Sequence, residues 1–163
     1  MRPLTGDEIE ASKTVHPAGL IPYGSIRVDE DSNLIKIGNT LGTWLGSDVL
    51  PGAITTMHII HLPVGGVARH VMMHELTHVC QYELVGAIYM PEAIHAQQTA
   101  GYDYGDISQP PSVTGRHYAD MNREQQAQIV EDYWALNNHG TAEKSGTKET
   151  LQPYMDEEMA GKF

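Results

Sequence analysis

The chain has 163 residues, of which 40% are hydrophobic, and a formal net charge of −11 from 21 acidic and 10 basic residues. This length predicts one globular domain, and because no Lys/Arg cluster offers a basic face we expect no nucleic acid partner. No apolar run approaches the ~20 residues that span a bilayer, and the N-terminus lacks the apolar core of a signal peptide. We therefore expect the protein to be cytoplasmic on synthesis. If it is exported, we expect a route that does not use a cleaved signal peptide.

The first elements in chain order are a short helix and several short strands. Thr5 and Glu8 have the spacing of a capping box, which predicts a helix from there to about Lys13. Alternating or β-branched residues predict the strands that follow. The segments are a strand at Ser25–Val28, a strand at Leu34–Ile37, an irregular stretch at Gly38–Gly52, and the strongest strand candidate at Ala53–Leu62.

A helix predicted at Val67–Tyr82 carries the most informative motif, His74-Glu75-Leu76-Thr77-His78. Residues four apart on a helix share a face, so the two imidazoles can bind one metal ion. The glutamate beside them is placed to take a proton from a water on that ion. This H-E-x-x-H pattern is typical of zinc peptidases, which add a third ligand from elsewhere in the chain. We interpret His70, one turn earlier, as a residue of the cleft or as one that contacts the neighbours of the ligands, rather than as a ligand.

The rest of the chain predicts two helices, a long loop and a polar tail. The one cysteine, Cys80, excludes an internal disulfide and is interpreted as a small buried hydrophobic residue. Asn122, followed three residues later by Gln125, predicts the N-cap of a helix that runs to about Asn137. A helix is predicted at Ala93–Ala100 and a loop at Gly101–Gly115. Residues 1–138 are predicted to form a single domain, and residues 139–163 a mobile tail.

The third ligand has several candidates. The metzincin pattern needs a histidine six residues after the second motif histidine, where this chain has Leu84. The other common arrangement takes a glutamate from a separate helix, and Glu124 within Glu124-Gln125-Gln126-Ala127 fits it. The competing ligands are Glu92, His95 and Glu131. Glu131 or Asp132 is also placed to orient a ligand histidine through a hydrogen bond.

Three stretches resemble a known family: Arg2-Pro3-Leu4-Thr5, the motif with Val79-Cys80-Gln81, and Glu124–Tyr133. Together they look like the zinc metallopeptidases encoded beside Vgr and Rhs components of bacterial type VI secretion systems. The resemblance implies an α+β, minimal gluzincin-like core, in which a small sheet covers the motif helix and a C-terminal helix delivers a glutamate. It also implies a secretion-associated role, with Vgr or Rhs proteins as partners. Cys80 departs from the family, where an aromatic residue is expected.

The resulting hypothesis is a zinc-dependent hydrolase of amide bonds, with Glu75 as the general base and His74, His78 and Glu124 as ligands. The predicted strand Thr56–Leu62 is a candidate for holding an extended peptide. The substrate is a peptide, a protein or peptidoglycan. The alternative is a non-catalytic assembly module of a secretion apparatus that keeps zinc for stability. The candidate donors to the oxyanion are Tyr104, Tyr102, His117 and Tyr118.

Overall fold

The N-terminal helix α1 (Gly6–Lys13) begins where the sequence predicts it. The computed structural model, which describes residues 1–36, 52–99, 101–142, 144 and 146–163, contains the predicted capping box. Thr5 Oγ1 accepts a hydrogen bond from the Glu8 amide at 3.2 Å, and the Glu8 carboxylate accepts one from the Thr5 amide at 2.7 Å. Both oxygens of Glu8 also accept hydrogen bonds from the Arg2 guanidinium at 2.8 Å, which fixes the start of the chain against α1.

A small mixed sheet consists of β1 (Arg27–Asp29), β2 (Ile54–Thr56) and β3 (Ile59–His61). The order is β1-β3-β2, with β1 parallel and β2 antiparallel to the central strand. The outer side of β1 is bridged by Arg2, which pairs with Val28. In the described part of the chain, β2 is therefore the edge strand of the sheet, and its Thr55 carbonyl accepts a hydrogen bond from the Tyr89 hydroxyl at 2.7 Å.

Two strand predictions are wrong. The run Ala53–Leu62 is a hairpin rather than one strand, because the chain turns at Met57, which has a positive φ of 55°. Residues 33–36 are helical, although Leu34–Ile37 was predicted to be a strand. Apart from Gly52, the stretch predicted to be irregular at Gly38–Gly52 lies outside the described residues.

Helices make up most of the remaining chain, so the predicted α+β class is confirmed. The loop predicted at Gly101–Gly115 is largely irregular but contains one short helix. The described elements are α2 (Arg69–Val85), a 3₁₀ turn (Gly86–Ile88), α3 (Tyr89–Gln98), α4 (Pro111–Thr114), a 3₁₀ turn (Tyr118–Asp120), α5 (Arg123–His139) and α6 (Lys148–Met159).

The motif helix α2 lies at the centre of the molecule, with α5 as its most extensive helical neighbour in the described part of the chain. Its apolar side joins the sheet, α5 and α6 in one hydrophobic cluster. None of the described helices is long and apolar enough to cross a membrane. The central members of the cluster are Ile26, Val28, Ile60, Met73, Leu76, Val79, Ile129, Val130, Leu151 and Met155.

The C-terminal segment corrects the prediction of a mobile polar tail over residues 139–163. Helix α6 is capped by Thr147 and packs against α5. Leu151, Tyr154 and Met155 are almost completely buried, because their i, i+3, i+4 spacing forms an apolar stripe on one face. This stripe anchors the end of the chain in the core.

Candidate metal and active site

Three ligand atoms from two helices converge beside the motif. His74 and His78 lie on one face of α2, and each side chain is almost fully buried. Glu124 projects from the first turn of α5, where the Asn122 cap accepts a hydrogen bond from the Gln125 amide at 2.8 Å. Glu124 Oε2 lies 3.2 Å from His74 Nε2 and 3.6 Å from His78 Nε2. The cap therefore fixes the helix turn that delivers the carboxylate.

The cluster has the dimensions of a zinc site. One ligand atom from each of His74, His78 and Glu124 lies within 4.8 Å of the other two. A tetrahedral zinc with ligand distances of ~2.0–2.2 Å requires neighbouring ligand atoms to be ~3.3–3.6 Å apart. The two distances measured from Glu124 fall close to this range. The other oxygen of Glu124 accepts a hydrogen bond from Gln97 Nε2 at 3.0 Å, which orients the carboxylate toward the histidines.

Gln81 orients the His78 ring. Its side-chain oxygen lies 2.8 Å from His78 Nδ1, one helical turn away. The amide nitrogen of Gln81 donates to the Arg123 carbonyl and to Gln126 Oε1, both at 3.0 Å, so the amide orientation is defined. The ring nitrogen that faces Gln81 must then carry the proton, which leaves the lone pair of Nε2 directed at the cluster.

Glu131, one of the two residues predicted to orient a ligand histidine, lies beside His74. Its Oε2 lies 3.0 Å from His74 Nδ1, although the ring N–H is too poorly aligned for a hydrogen bond. Its Oε1 lies 2.8 Å from His70 Nδ1. His70 is therefore in contact with the partner of a candidate ligand, as the sequence predicted.

The charges of the cluster favour a cation. Burial raises the pKa of the Glu124 carboxyl, but His78 and His74 overcome this effect and hold that pKa far below its ordinary value. Burial likewise lowers the pKa of His74, yet Glu124 and Glu131 raise it well above its usual value. The carboxylates therefore favour positive charge at this place, which a divalent ion can also supply.

Glu75 stands beside the cluster and is held by the sheet. Its Oε2 accepts a hydrogen bond from Thr55 Oγ1 at 2.7 Å. Burial raises the pKa of Glu75, and the neighbouring His78 and His74 only partly oppose this shift. A carboxyl whose pKa is raised toward neutrality is better suited to accept and return a proton than an exposed one.

A cleft of about 270 Å³ opens over His74 and Glu75. The tyrosine that lines it is Tyr102, whose ring centroid lies 5.6 Å from that of His74. Tyr104, the predicted oxyanion donor, is instead fully buried, and its hydroxyl donates to Asp132 at 2.6 Å. The irregular loop turns one tyrosine into the cleft and the other into the core, so the prediction of Tyr104 is corrected to Tyr102.

The other candidates have different partners. Glu92 accepts a hydrogen bond from Arg123 at 2.7 Å, and His95 is exposed on α3. His117 pairs with Glu157 at 2.6 Å, while the Tyr118 hydroxyl donates to the Gln126 carbonyl. None of these four residues belongs to the His74–His78–Glu124 cluster or lines the cleft in the described part of the chain.

Three site residues were missed in the sequence: Gln81, Gln97 and Thr55. Gln81 offered a signal, because it is a polar residue three positions after the second motif histidine and therefore on nearly the same face of the helix. Thr55 and Gln97 gave no sequence signal, since a threonine in a strand and a glutamine in a helix are common on solvated faces. Their roles depend on tertiary contacts.

The fold and the site together define an α+β domain with a His–His–Glu cluster, of which His74 lines a cleft. Among solved structures, the effector domain of Pseudomonas aeruginosa VgrG2b is similar, with a TM-score of 0.57 and 24% sequence identity over 93% of this chain and 79% of that one. No protein-family model and no curated protein matches the chain. At this identity the similarity shows a common fold, while function has to be argued from the site.

Proposed function

We propose that this protein is a zinc-dependent hydrolase that cleaves peptide bonds. The observation that carries the proposal is the convergence of His74, His78 and Glu124 beside Glu75, at a place where His74 and Glu75 line a cleft. Three protein ligands leave one coordination position for water, as in catalytic zinc sites, whereas structural sites use four protein ligands. A glutamate next to the ligands has no function in a purely structural site.

Zinc would supply Lewis acidity, polarising the substrate carbonyl and lowering the pKa of a bound water toward ~7. Glu75 takes the proton of the attacking water and passes it to the leaving amine. Thr55 holds the carboxylate for this transfer by donating to one of its oxygens at 2.7 Å. The second oxygen of Glu75 is the one that exchanges the proton.

Tyr102 is the candidate donor to the oxygen that becomes negative at the tetrahedral stage. Its ring lies against His74 and lines the same cleft as Glu75. Burial raises the pKa of the Tyr102 hydroxyl far above its ordinary value. The hydroxyl therefore keeps its proton and acts as a hydrogen-bond donor rather than as an acid.

An extended peptide fits the geometry of the sheet. The predicted binding strand, Thr56–Leu62, includes β3, which is paired on both sides. The edge strand is β2, and Gly52 and Ala53, just before it, line the cleft. The Thr55 carbonyl of β2 already accepts a hydrogen bond from the Tyr89 hydroxyl, so we assign the substrate contact to the backbone of Gly52 and Ala53, where an extended peptide can pair. A protein segment and a cell-wall peptide both meet this requirement.

A role in bacterial secretion is the second part of the proposal. It is supported by the sequence resemblance to the Vgr- and Rhs-linked metallopeptidases and by a fold shared with a domain named as an effector. We propose that the protein is a type VI secretion effector, with Vgr or Rhs proteins as partners in delivery. A test is co-purification with a Vgr protein encoded beside it, and the absence of any such complex would contradict this part.

Glu75→Gln tests the hydrolase. The amide is nearly isosteric with the carboxylate but cannot accept the proton, so the variant should bind zinc as the parent does and lose cleavage. Zinc is measured by elemental analysis, and cleavage by mass spectrometry of an unfolded protein and of peptidoglycan stem peptides. Glu83→Gln is the matched control, because Glu83 lies on the same helix but pairs with His58 outside the cluster.

Two results would overturn the proposal. Full activity of Glu75→Gln would remove Glu75 as the base. Zinc held by four protein ligands in X-ray absorption, with no cleavage of either substrate, would favour the non-catalytic assembly module.

A further inference from the structure

A second group of metal-binding side chains lies on the other side of the motif helix. One ligand atom each from His16, Cys80 and Glu158 lies within 4.8 Å of the other two, and all three residues are buried. They come from the turn after α1, from α2 and from the end of α6. Cys80 follows His78 by two residues, a rotation of ~200° around the helix, so the two clusters occupy opposite faces of α2.

Glu158 is the feature that calls for an explanation. Its residue is 0% exposed, and among the described residues neither carboxylate oxygen has a hydrogen-bond partner. A buried carboxylate without a partner is costly, and native proteins nearly always satisfy such groups. Burial raises the pKa of Glu158 to about 9, so the metal-free protein would have to bury it as an unpartnered acid. The side chain is directed at a thiol and an imidazole, which are both metal ligands.

We propose that His16, Cys80 and Glu158 bind a second divalent transition metal, with zinc as the best fit. A thiolate and a carboxylate together balance the two positive charges of the ion, so the complex is neutral and suits an apolar interior. Sulfur and imidazole ligands select zinc-like ions over calcium or magnesium, which prefer oxygen.

His16 is already held in place for this role. Its Nδ1 lies 2.9 Å from Ser12 Oγ and 3.1 Å from the Ser12 carbonyl, and its Nε2 lies 3.1 Å from Thr77 Oγ1. A zinc-bound histidine uses one nitrogen for the metal and donates from the other. Metal binding therefore replaces the contacts of one ring nitrogen with the ion and keeps the contacts of the other ring nitrogen.

We assign this site an effect on the stability of the fold rather than on catalysis, although it offers three protein ligands where structural zinc sites usually have four. The three ligands connect the N-terminal segment, the central helix and the C-terminal helix, which are far apart in the sequence. A metal that closes such long loops stabilises the folded state, because its binding free energy is available only when all three segments are in place. The proposal of this second site does not depend on the proposed hydrolase activity, because a catalytically inactive protein could bind the same metal.

Cobalt substitution of the full chain tests the proposal. Cys80 is the one cysteine of the sequence, so a thiolate-to-cobalt charge-transfer band in the near ultraviolet reports on this site and not on the His–His–Glu cluster. The wild type should bind two equivalents of Co²⁺ and show the band. The double variant His74→Ala/His78→Ala should bind one equivalent and keep the band.

Variants of the second site complete the test. Cys80→Ala should lose the band and one equivalent of cobalt, while the isosteric Glu158→Gln should require at least tenfold more Co²⁺ to develop the band. Circular dichroism checks that each variant is folded. A wild-type protein that binds one equivalent and shows no charge-transfer band would overturn the proposal, whatever the behaviour of the variants.

Discussion

Replacing Gln81 tests whether the neighbours of the histidines tune metal binding. Gln81→Leu removes the acceptor 2.8 Å from His78 Nδ1 and leaves that ring N–H buried without a partner. A neutral hydrogen bond contributes ~1 kcal/mol and a buried unsatisfied donor costs ~1–3 kcal/mol. A metal-bound imidazole is the stronger donor, so the loss is greater in the zinc-bound state. We expect zinc affinity to fall ~10–100-fold, equivalent to ~1.4–2.7 kcal/mol.

Competition against a chromophoric chelator measures this affinity. The bonds from Gln81 to the Arg123 carbonyl and to Gln126 do not involve a candidate ligand, so their loss should lower the free energy of unfolding but largely cancel in the dissociation constant. The matched control is Gln128→Leu. Gln128 is also buried; it lines the cleft but bonds to Asp132 instead of a candidate ligand. Equal losses of affinity in the two variants would refute the argument.

Three further predictions concern the free energy of unfolding, measured with urea. Asn122→Ala should cost ~1 kcal/mol by removing the cap of α5, and no change would mean that the cap does not hold this turn. Leu151→Ala should cost ~2–5 kcal/mol, since its side chain is fully buried; a loss below 1 kcal/mol would contradict the packing of α6. Burial raises the pKa of Glu8, but Arg2 and the Thr5 amide bring it below its ordinary value. The stabilisation of the fold by the ionised Glu8 is complete above the unfolded-state pKa of ~4.3. It is lost as the pH falls through the lowered pKa of Glu8 in the folded state. Glu8→Gln should therefore be destabilising at pH 7, with the difference from wild type narrowing below pH ~4, and a pH-independent difference would exclude this linkage.

The parts of the molecule that depend on local sequence could be predicted. The two capping boxes place the starts of α1 and α5 because side chain and backbone partners lie three residues apart. The spacing of the motif predicts that His74 and His78 share a face, and the helical period places Glu131 two turns after Glu124. The structure brings all four side chains together, while metal ligation itself stays a prediction.

The parts that depend on distant contacts could not be predicted. Met57 turns the hairpin without a glycine or asparagine to signal it. Tyr102 and Tyr104 lie in the same irregular segment. Neither the 3.6-residue period of a helix nor the two-residue period of a strand applies there, so the sequence does not show which side chain faces the cleft. Helix α6 was missed because the segment is rich in polar and charged residues, which hide the apolar stripe that packs on the core. The thiol of Cys80 has a carboxylate beside it only because α6 returns to α2.

The position of Glu124 and Glu131 on a single helix has a mechanical consequence. A rigid helix cannot move one of these carboxylates without the other, so a shift of α5 along α2 breaks the contacts to both histidines together. Occupancy of the metal cluster and docking of α5 on α2 should therefore be a coupled, all-or-none event. Removing the metal with a chelator should then loosen the whole interface between α2 and α5. Amide hydrogen exchange should accelerate along the full length of both helices rather than near the ligands alone.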